Sequence, residues 1–263
     1  MSIIEAIILG IIQGLTEFLP VSSSGHIELG KAILSVETEE DLLFSLLVHL
    51  ATVLAIFIIF RKDIFSLLKA LFSFKWNEKT KYIAMILLSA LPVMLVGLLF
   101  KSELEALFQG RVLLVGCMLL LNGFILQLSR LEKPETKPLT FSKVLVIGLA
   151  QAFAVLPGIS RSGSTIATAL ACGISREEAA RFSFLIVLIP IVGASFLELL
   201  DFSSIVNFNQ QIIPYSAGFI AAFISGLFAC TLMLKIVKKG GITVFSIYCW
   251  LAGLIAIAWS FMS

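Results

Sequence analysis

Long apolar runs alternate with short polar intervals along the whole chain. Six runs, about 42–60, 81–100, 112–128, 179–199, 212–234 and 243–262, approach or reach the roughly 20 residues that a helix needs to cross a bilayer. Two other segments, about 3–35 and 141–175, have a different pattern. Each consists of two short apolar stretches around a Pro/Ser/Gly break, and neither stretch comfortably spans alone. They predict re-entrant hairpins, in which the chain enters the membrane, breaks near the middle and leaves on the same side. Irregular backbone at that depth is stable only where protein buries it or where it lines a wet cavity.

Composition agrees with this pattern. Of the 263 residues, 59% are hydrophobic and only 14% are charged, and the mean hydropathy is +1.06. Soluble domains carry about 25% charge, so the chain reads as an all-α polytopic membrane protein, a single integral domain over residues 1–263. Cys117, Cys172, Cys230 and Cys249 lie scattered in apolar stretches with no metal-ligand spacing, and read as packing residues. The first residues lack a basic region and a cleavage site, and so do not read as a cleaved signal peptide.

The two broken segments repeat each other. Gly10-Ile-Ile-Gln13-Gly-Leu-Thr-Glu17-Phe-Leu-Pro20-Val-Ser22-Ser23-Ser24-Gly25-His26 returns, 138 residues later and without gaps, as Gly148-Leu-Ala-Gln151-Ala-Phe-Ala-Val-Leu-Pro157-Gly158-Ile-Ser160-Arg161-Ser162-Gly163-Ser164. The same offset aligns Glu39-Glu40 with Glu177-Glu178 and Phe44-Ser45 with Phe182-Ser183. The repeats cover about 1–130 and 139–263, each one hairpin plus three spans. Three is odd, so the second half starts on the opposite side of the membrane and the halves form an inverted repeat with the hairpins meeting tip to tip. Charge follows this count. Fifteen Lys and Arg, in the groups Arg61–Lys81, Arg130–Lys143, Arg176, Arg181 and Lys235–Lys239, fall on one side, against Lys31, Lys101 and Arg111 on the other. The basic side is therefore expected in the cytoplasm and both termini outside.

Glu17, His26 and Arg161 lie in segments otherwise apolar enough for the membrane interior, where such side chains cost about 2.5–3.5 kcal/mol each and are functional candidates by default. Gln13 and Glu17, four residues apart, share one helix face before Pro20 ends that helix. The hydroxyls of Ser22, Ser23, Ser24, Ser160, Ser162 and Thr165, with backbone loosened by Gly25 and Gly163, suit an anion site at two helix N-termini. Arg161 supplies a planar fork suited to phosphate. Glu17 is a ligand for one Mg²⁺ or Ca²⁺ held jointly with phosphate oxygens, with Gln13 a weaker second ligand. His49, four residues after Ser45 in a span, reads as a core or supporting residue. Glu5 reads as solvated, and Glu198 and Asp201 as interfacial charges.

Gln13-x-x-x-Glu17 with Pro20-Val-Ser-Ser-Ser-Gly-His26, together with Leu156-Pro157-Gly158-Ile-Ser160-Arg161-Ser162-Gly163-Ser-Thr165, resembles the undecaprenyl-diphosphate phosphatase, or bacitracin-resistance protein, family over essentially the whole chain. The resemblance implies hydrolysis of the C55 polyprenyl diphosphate to undecaprenyl phosphate and inorganic phosphate, a divalent metal, and the bacterial plasma membrane. It places functional residues at Gln13 and Glu17, around Ser23 and His26, and at Ser160 and Arg161. Many members of the family carry Glu where this chain has Gln13, and a Thr where it has Ser24. The expected catalytic set is Glu17, Ser23, His26 and Arg161, with His26 as base for Ser23; His26 acting on water, or as the nucleophile, are the alternatives. The expected partners are the lipid substrate and membrane lipids, with a homodimer left open and no nucleic acid. A transporter of a phosphorylated lipid or small anion is the alternative function, since inverted repeats with paired broken helices also build secondary transporters.

Overall fold

The computed structural model describes residues 1–34, 36, 42–107, 111–131, 136–200 and 208–262. Glu39-Glu40, Lys133 and Asp201, and the side chain of Glu198, lie outside the described residues. All regular structure among the described residues is helical. The first hairpin is α1 (Ile3–Phe18) and α2 (Ser23–Leu34); the second is α8 (Phe141–Phe153) and α9 (Arg161–Ala171). Between them lie α3 (Leu42–Ile59), α4 (Arg61–Leu71), α5 (Glu78–Leu99), α6 (Lys101–Leu107) and α7 (Val112–Gln127); after them come α10 (Arg176–Ile186), α11 (Leu188–Leu200), α12 (Phe208–Lys238) and α13 (Val244–Ser260).

Each hairpin arm is too short to cross. The 16 residues of α1 extend about 24 Å and the 13 of α8 about 20 Å, against a hydrocarbon core of about 30 Å. The α1 N-terminus is closed by a capping box between Ser2 and Glu5, so Glu5 has a structural task besides solvation. Helix α1 runs parallel to α12, with Gly10 against Gly218 and Gly14 against Ala222. Helix α3 runs the same way, with Phe44 against Gly218 and Ala55 near Gly226. Since α1 and α3 point in one direction, α2 between them must bring the chain back to the side it came from. In the second half the Lys137 N–H donates to the Gly173 carbonyl (2.7 Å), so the residues before α8 and after α9 are adjacent. That hairpin too opens and closes at one end.

The open ends lie at opposite poles. Met1 and Leu34, flanking the first hairpin, pack with Phe44 and Tyr215. The second hairpin opens beside a polar cluster in which Arg181 pairs with Asp63, Lys238 with Glu177, and Arg176 with the Lys238 carbonyl. The repeat is also visible in packing, because α1 lies along α12 as α8 lies along α5. At both crossings the equivalent glycine permits backbone contact: a Cβ on Gly10 would sit 2.3 Å from the Gly218 oxygen, and one on Gly148 2.5 Å from the Ser89 oxygen. This is the small-residue packing expected where helices have no hydrophobic effect driving them together.

Four helical stretches are long and apolar enough to cross a membrane, Glu78–Leu99, Val112–Leu131, Gln211–Lys238 and Gly241–Ser260, and α3 with α4 makes a further pair bent by 82°. Three features differ from the sequence expectations. Residues 179–199 are not one helix; α10 and α11 are separated at Val187, where Pro190 removes the N–H that the Ile186 carbonyl would otherwise accept from. Lys31, counted with the outer side at the end of the first hairpin segment, is buried on α2, with Glu28 4.0 Å away. The basic stretch after residue 60 folds into α4, whose exposed Phe65, Leu68 and Leu71 accompany Arg61, Lys62 and Lys69.

Candidate active site

The two breaks are built alike. Helix α1 stops at Phe18 ahead of Pro20, and Ser22 then adopts φ +72°, a conformation costly for a residue with a Cβ. The Ser22 hydroxyl caps α2 by accepting the Gly25 N–H (3.2 Å) and lies 3.3 Å from the Ser24 hydroxyl. In the second break Gly158 takes φ +103°. Ser160 then caps α9 by accepting the Gly163 N–H (3.1 Å) and lies 3.2 Å from the Ser162 hydroxyl. The 138-residue register thus survives at the level of single hydrogen bonds. Ser22, Ser160, Gly25 and Gly163 are consequently engaged in capping. The Thr165 hydroxyl is directed back to the carbonyls of Arg161 and Ser162.

The tips touch. A Cβ on Gly25 would lie 3.0 Å from Gly158 Cα, and one on Gly163 2.9 Å from Pro20 Cβ. Asn122, fully buried on α7, joins them: its Nδ2 donates to the Pro20 carbonyl (3.0 Å) and its Oδ1 accepts from the Ser160 N–H (2.9 Å). The same Nδ2 lies 3.2 Å from Cys249 Sγ on α13. Asn122 lies outside both motifs, and its one mark in the sequence is an amide in an otherwise apolar span.

At the junction sits the Glu17 carboxylate, with 4% of its side chain exposed. Its Oε1 accepts from Arg161 Nη2 (2.7 Å). Its Oε2 accepts from the Ser23 hydroxyl (2.6 Å) and from Gln13 Nε2 (3.0 Å). His49 faces the same oxygen, with Nε2 3.9 Å away, while its Nδ1 lies 2.8 Å from the Ser45 carbonyl oxygen. His49 therefore supports the site rather than the apolar core. Ser162 makes long contacts, 3.4 Å each, to the carbonyls of Glu17 and Phe18.

His26 sits elsewhere. Its Nδ1 lies 2.8 Å from the Ser22 carbonyl oxygen and its Nε2 2.7 Å from the Tyr248 hydroxyl, with the two rings stacked at 5.6 Å. The i, i+3 pairing of His26 with Ser23 is not formed; the proton of Ser23 points to Glu17 instead.

Glu17 and Arg161 border a tight cavity of about 10 Å³, room for about one water, together with Ser162, Ser183 and an apolar wall of Phe18, Ile56, Phe184 and Val187. Among the described residues no three His, Cys, Asp or Glu side chains cluster as a ready metal site. The buried Gln13 Oε1 has no hydrogen-bond partner among the described residues. Together with the Glu17 carboxylate it makes a pair of hard oxygen donors of the kind Mg²⁺ and Ca²⁺ take, so the residues present fit a cation that completes its shell with other oxygens.

Fold and site together define a polytopic membrane protein, built as an inverted repeat, whose two broken hairpins share one buried charged site. The profile of the family described as bacitracin resistance protein BacA matches residues 6–255. A relative named undecaprenyl-diphosphatase from Christiangramia forsetii is 48% identical over 263 residues, 99% of each chain. One of the same name from Parabacteroides distasonis is 46% identical over 261 residues, 98% of each chain. One from Methanobrevibacter smithii is 38% identical over 271 residues, 97% of this chain and 96% of its own. The chain belongs to the bacitracin resistance protein BacA family.

Proposed function

We propose that the protein is an undecaprenyl-diphosphate phosphatase: it hydrolyses the C55 polyprenyl diphosphate to undecaprenyl phosphate and inorganic phosphate. This recycles the lipid carrier of cell-wall synthesis and confers bacitracin resistance. The observation that carries the mechanism is the Glu17 carboxylate held between Ser23 of one hairpin and Arg161 of the other. A pure anion carrier has little use for a carboxylate that accepts a serine proton, so the transporter reading takes second place.

The terminal phosphoryl group binds beside Arg161, where the guanidinium fork and the Ser162 hydroxyl face its non-bridging oxygens. The first N–H groups of α2 and α9, from Ser23, Ser24, Arg161 and Ser162, precede the capped N–H groups and add donors at the positive helix ends. Ser23 Oγ attacks the terminal phosphorus and its proton passes to Glu17 Oε2. The bond from that phosphorus to the bridging oxygen breaks, and undecaprenyl phosphate leaves with that oxygen. The departing undecaprenyl phosphate takes that proton from Glu17. A water then attacks the phosphoserine as Glu17 accepts the water's proton, and Glu17 passes it to Ser23 Oγ as inorganic phosphate departs and the Ser23 hydroxyl is restored. His26, braced by Ser22 and Tyr248, orders the Ser22–Ser24 turn. A bound Mg²⁺ or Ca²⁺, held by Glu17 and Gln13, would neutralise charge on the diphosphate.

In this reading residues 1–263 form a single membrane domain, with repeats of about 1–130 and 139–263. It lies in the bacterial plasma membrane with the basic loops cytoplasmic and both termini outside, following the positive-inside rule. It binds no nucleic acid, and a homodimer is its proposed assembly. The test is phosphate release from undecaprenyl diphosphate by purified protein in detergent, with and without EDTA. EDTA-sensitive release that is lost in both Ser23→Ala and Arg161→Ala is expected. Absence of release by folded wild-type protein overturns the enzyme reading.

A further inference from the structure

Phe182-Ser183 repeats Phe44-Ser45 at the 138-residue offset, and the same offset relates His49 to Val187. The mechanism above uses neither serine. In the first half the Ser45 carbonyl holds the His49 imidazole facing Glu17. In the second half the imidazole is replaced by the apolar Val187, and the serine hydroxyl itself is what the site receives. Ser183, only 2% exposed, lines the cavity shared by Glu17, Arg161 and Ser162. Its Oγ has no hydrogen-bond partner among the described residues.

Ser164 and Ser246, also buried and helical, share that absence, and only Ser183 of the three lines the cavity beside Glu17 and Arg161. Thr16, Thr165 and Ser225 each return their proton to a carbonyl of the preceding turn, at 2.6, 2.9 and 2.6 Å. Ser183 makes no such bond although it is equally helical. A buried hydroxyl without a partner destabilises the fold, and its retention at a site asks for a ligand. The cavity it lines offers one cationic group, two hydroxyls, the Glu17 carboxylate and an apolar wall, so a phosphate oxygen entering it meets the Arg161 guanidinium and the two hydroxyls as donors. The helix is interrupted four residues on, at Val187.

We propose that Ser183 is a substrate ligand, its hydroxyl donating to a non-bridging oxygen of the phosphoryl group bound at Arg161. This rests on the phosphatase reading and extends it to a third chain segment, α10, outside both hairpins. The same chemistry serves the terminal phosphoryl of the lipid and the free phosphate product, so the two are assayed separately.

The experiment compares wild type, Ser183→Ala and Ser183→Thr by phosphate release from undecaprenyl diphosphate and by melting temperature with and without inorganic phosphate. Loss of one hydrogen bond to a charged group corresponds to about a 10- to 100-fold fall in kcat/KM for Ser183→Ala. The phosphate-induced rise in melting temperature, which reports binding to the folded state, should shrink, while the melting temperature without phosphate stays level or rises. Ser183→Thr should recover much of the activity. Unchanged kcat/KM and an unchanged phosphate shift in Ser183→Ala overturn the inference. So does a loss of activity that follows a lowered melting temperature, since that marks a purely structural role. An inactive wild type defeats the phosphatase reading instead; the phosphate shift then decides, a smaller shift in Ser183→Ala upholding the ligand role and an equal one overturning it.

Discussion

Ser23 and Arg161 occupy the same position in the two repeats, the first residue of α2 and of α9, and each holds a different oxygen of Glu17, at 2.6 and 2.7 Å. The backbone is near-symmetric and the chemistry is not. One tip contributes a hydroxyl and the other a guanidinium, and only the first arm contributes a carboxylate, because Val155 stands where the repeat would place a second. Gln151, the counterpart of Gln13, is correspondingly buried, with neither polar side-chain atom partnered among the described residues. Duplication supplied the frame, and divergence at these positions made one site instead of two.

Glu17→Gln retains size and hydrogen bonding but cannot take the Ser23 proton. Turnover is expected to fall by about 10²–10⁴-fold, the usual range for a general base. Phosphate release at saturating lipid measures it, and activity within tenfold of wild type would exclude Glu17 as the proton acceptor.

Arg161→Ala leaves Glu17 as a buried charge without its main partner, at a cost of about 3–5 kcal/mol. Arg161→Lys keeps the charge and loses the fork. Thermal melting should therefore show a large drop for alanine and a small one for lysine, while kcat/KM collapses in both. A lysine variant with near-normal kcat/KM would remove the phosphate clamp from the mechanism.

Asn122→Leu abandons the Pro20 carbonyl and the Ser160 N–H together, each worth about 1–3 kcal/mol when left buried and unmet. A lowered melting temperature and a parallel loss of activity are expected, because both breaks lose the tie that sets Ser23 against Glu17 and Arg161. A variant that melts like wild type would show that the tips are held by other contacts.

Gly148→Ala places a Cβ 2.5 Å from the Ser89 carbonyl oxygen, so α8 must move away from α5. Overpacking of this kind costs about 1–3 kcal/mol. Gly97→Ala is the internal control: a Cβ there meets nothing within 4 Å, and the helix gains up to about 1 kcal/mol from alanine. Opposite shifts in melting temperature are expected, and equal shifts would place the α5–α8 contact elsewhere.

Most spans, the two breaks and the repeat are legible in the chain, because each depends on local properties, while the run over 179–199 that reads as one span folds as α10 and α11. Those properties are the length of an apolar run, the conformational demands of Pro20 and Gly158, and a register of 138 residues. Glu17, Ser23 and Arg161 were equally legible as candidates, since polar groups at that depth are costly. Packing decided which of them meet. His26 is three residues from Ser23, yet its Nε2 finds Tyr248, 222 residues away, while its Nδ1 meets the Ser22 carbonyl oxygen. His49, Asn122 and Ser183 reach the site from three separate helices, and although the Asn122 amide and the repeated Phe-Ser pair stand out in the sequence, only packing brings them to one place. Even the proline signal depends on context: α5 runs unbroken through Pro92, while α10 and α11 part ahead of Pro190. Local sequence determined where this chain can cross and where it must break; the contacts among residues far apart, which only helix packing creates, decided which side chain faces which.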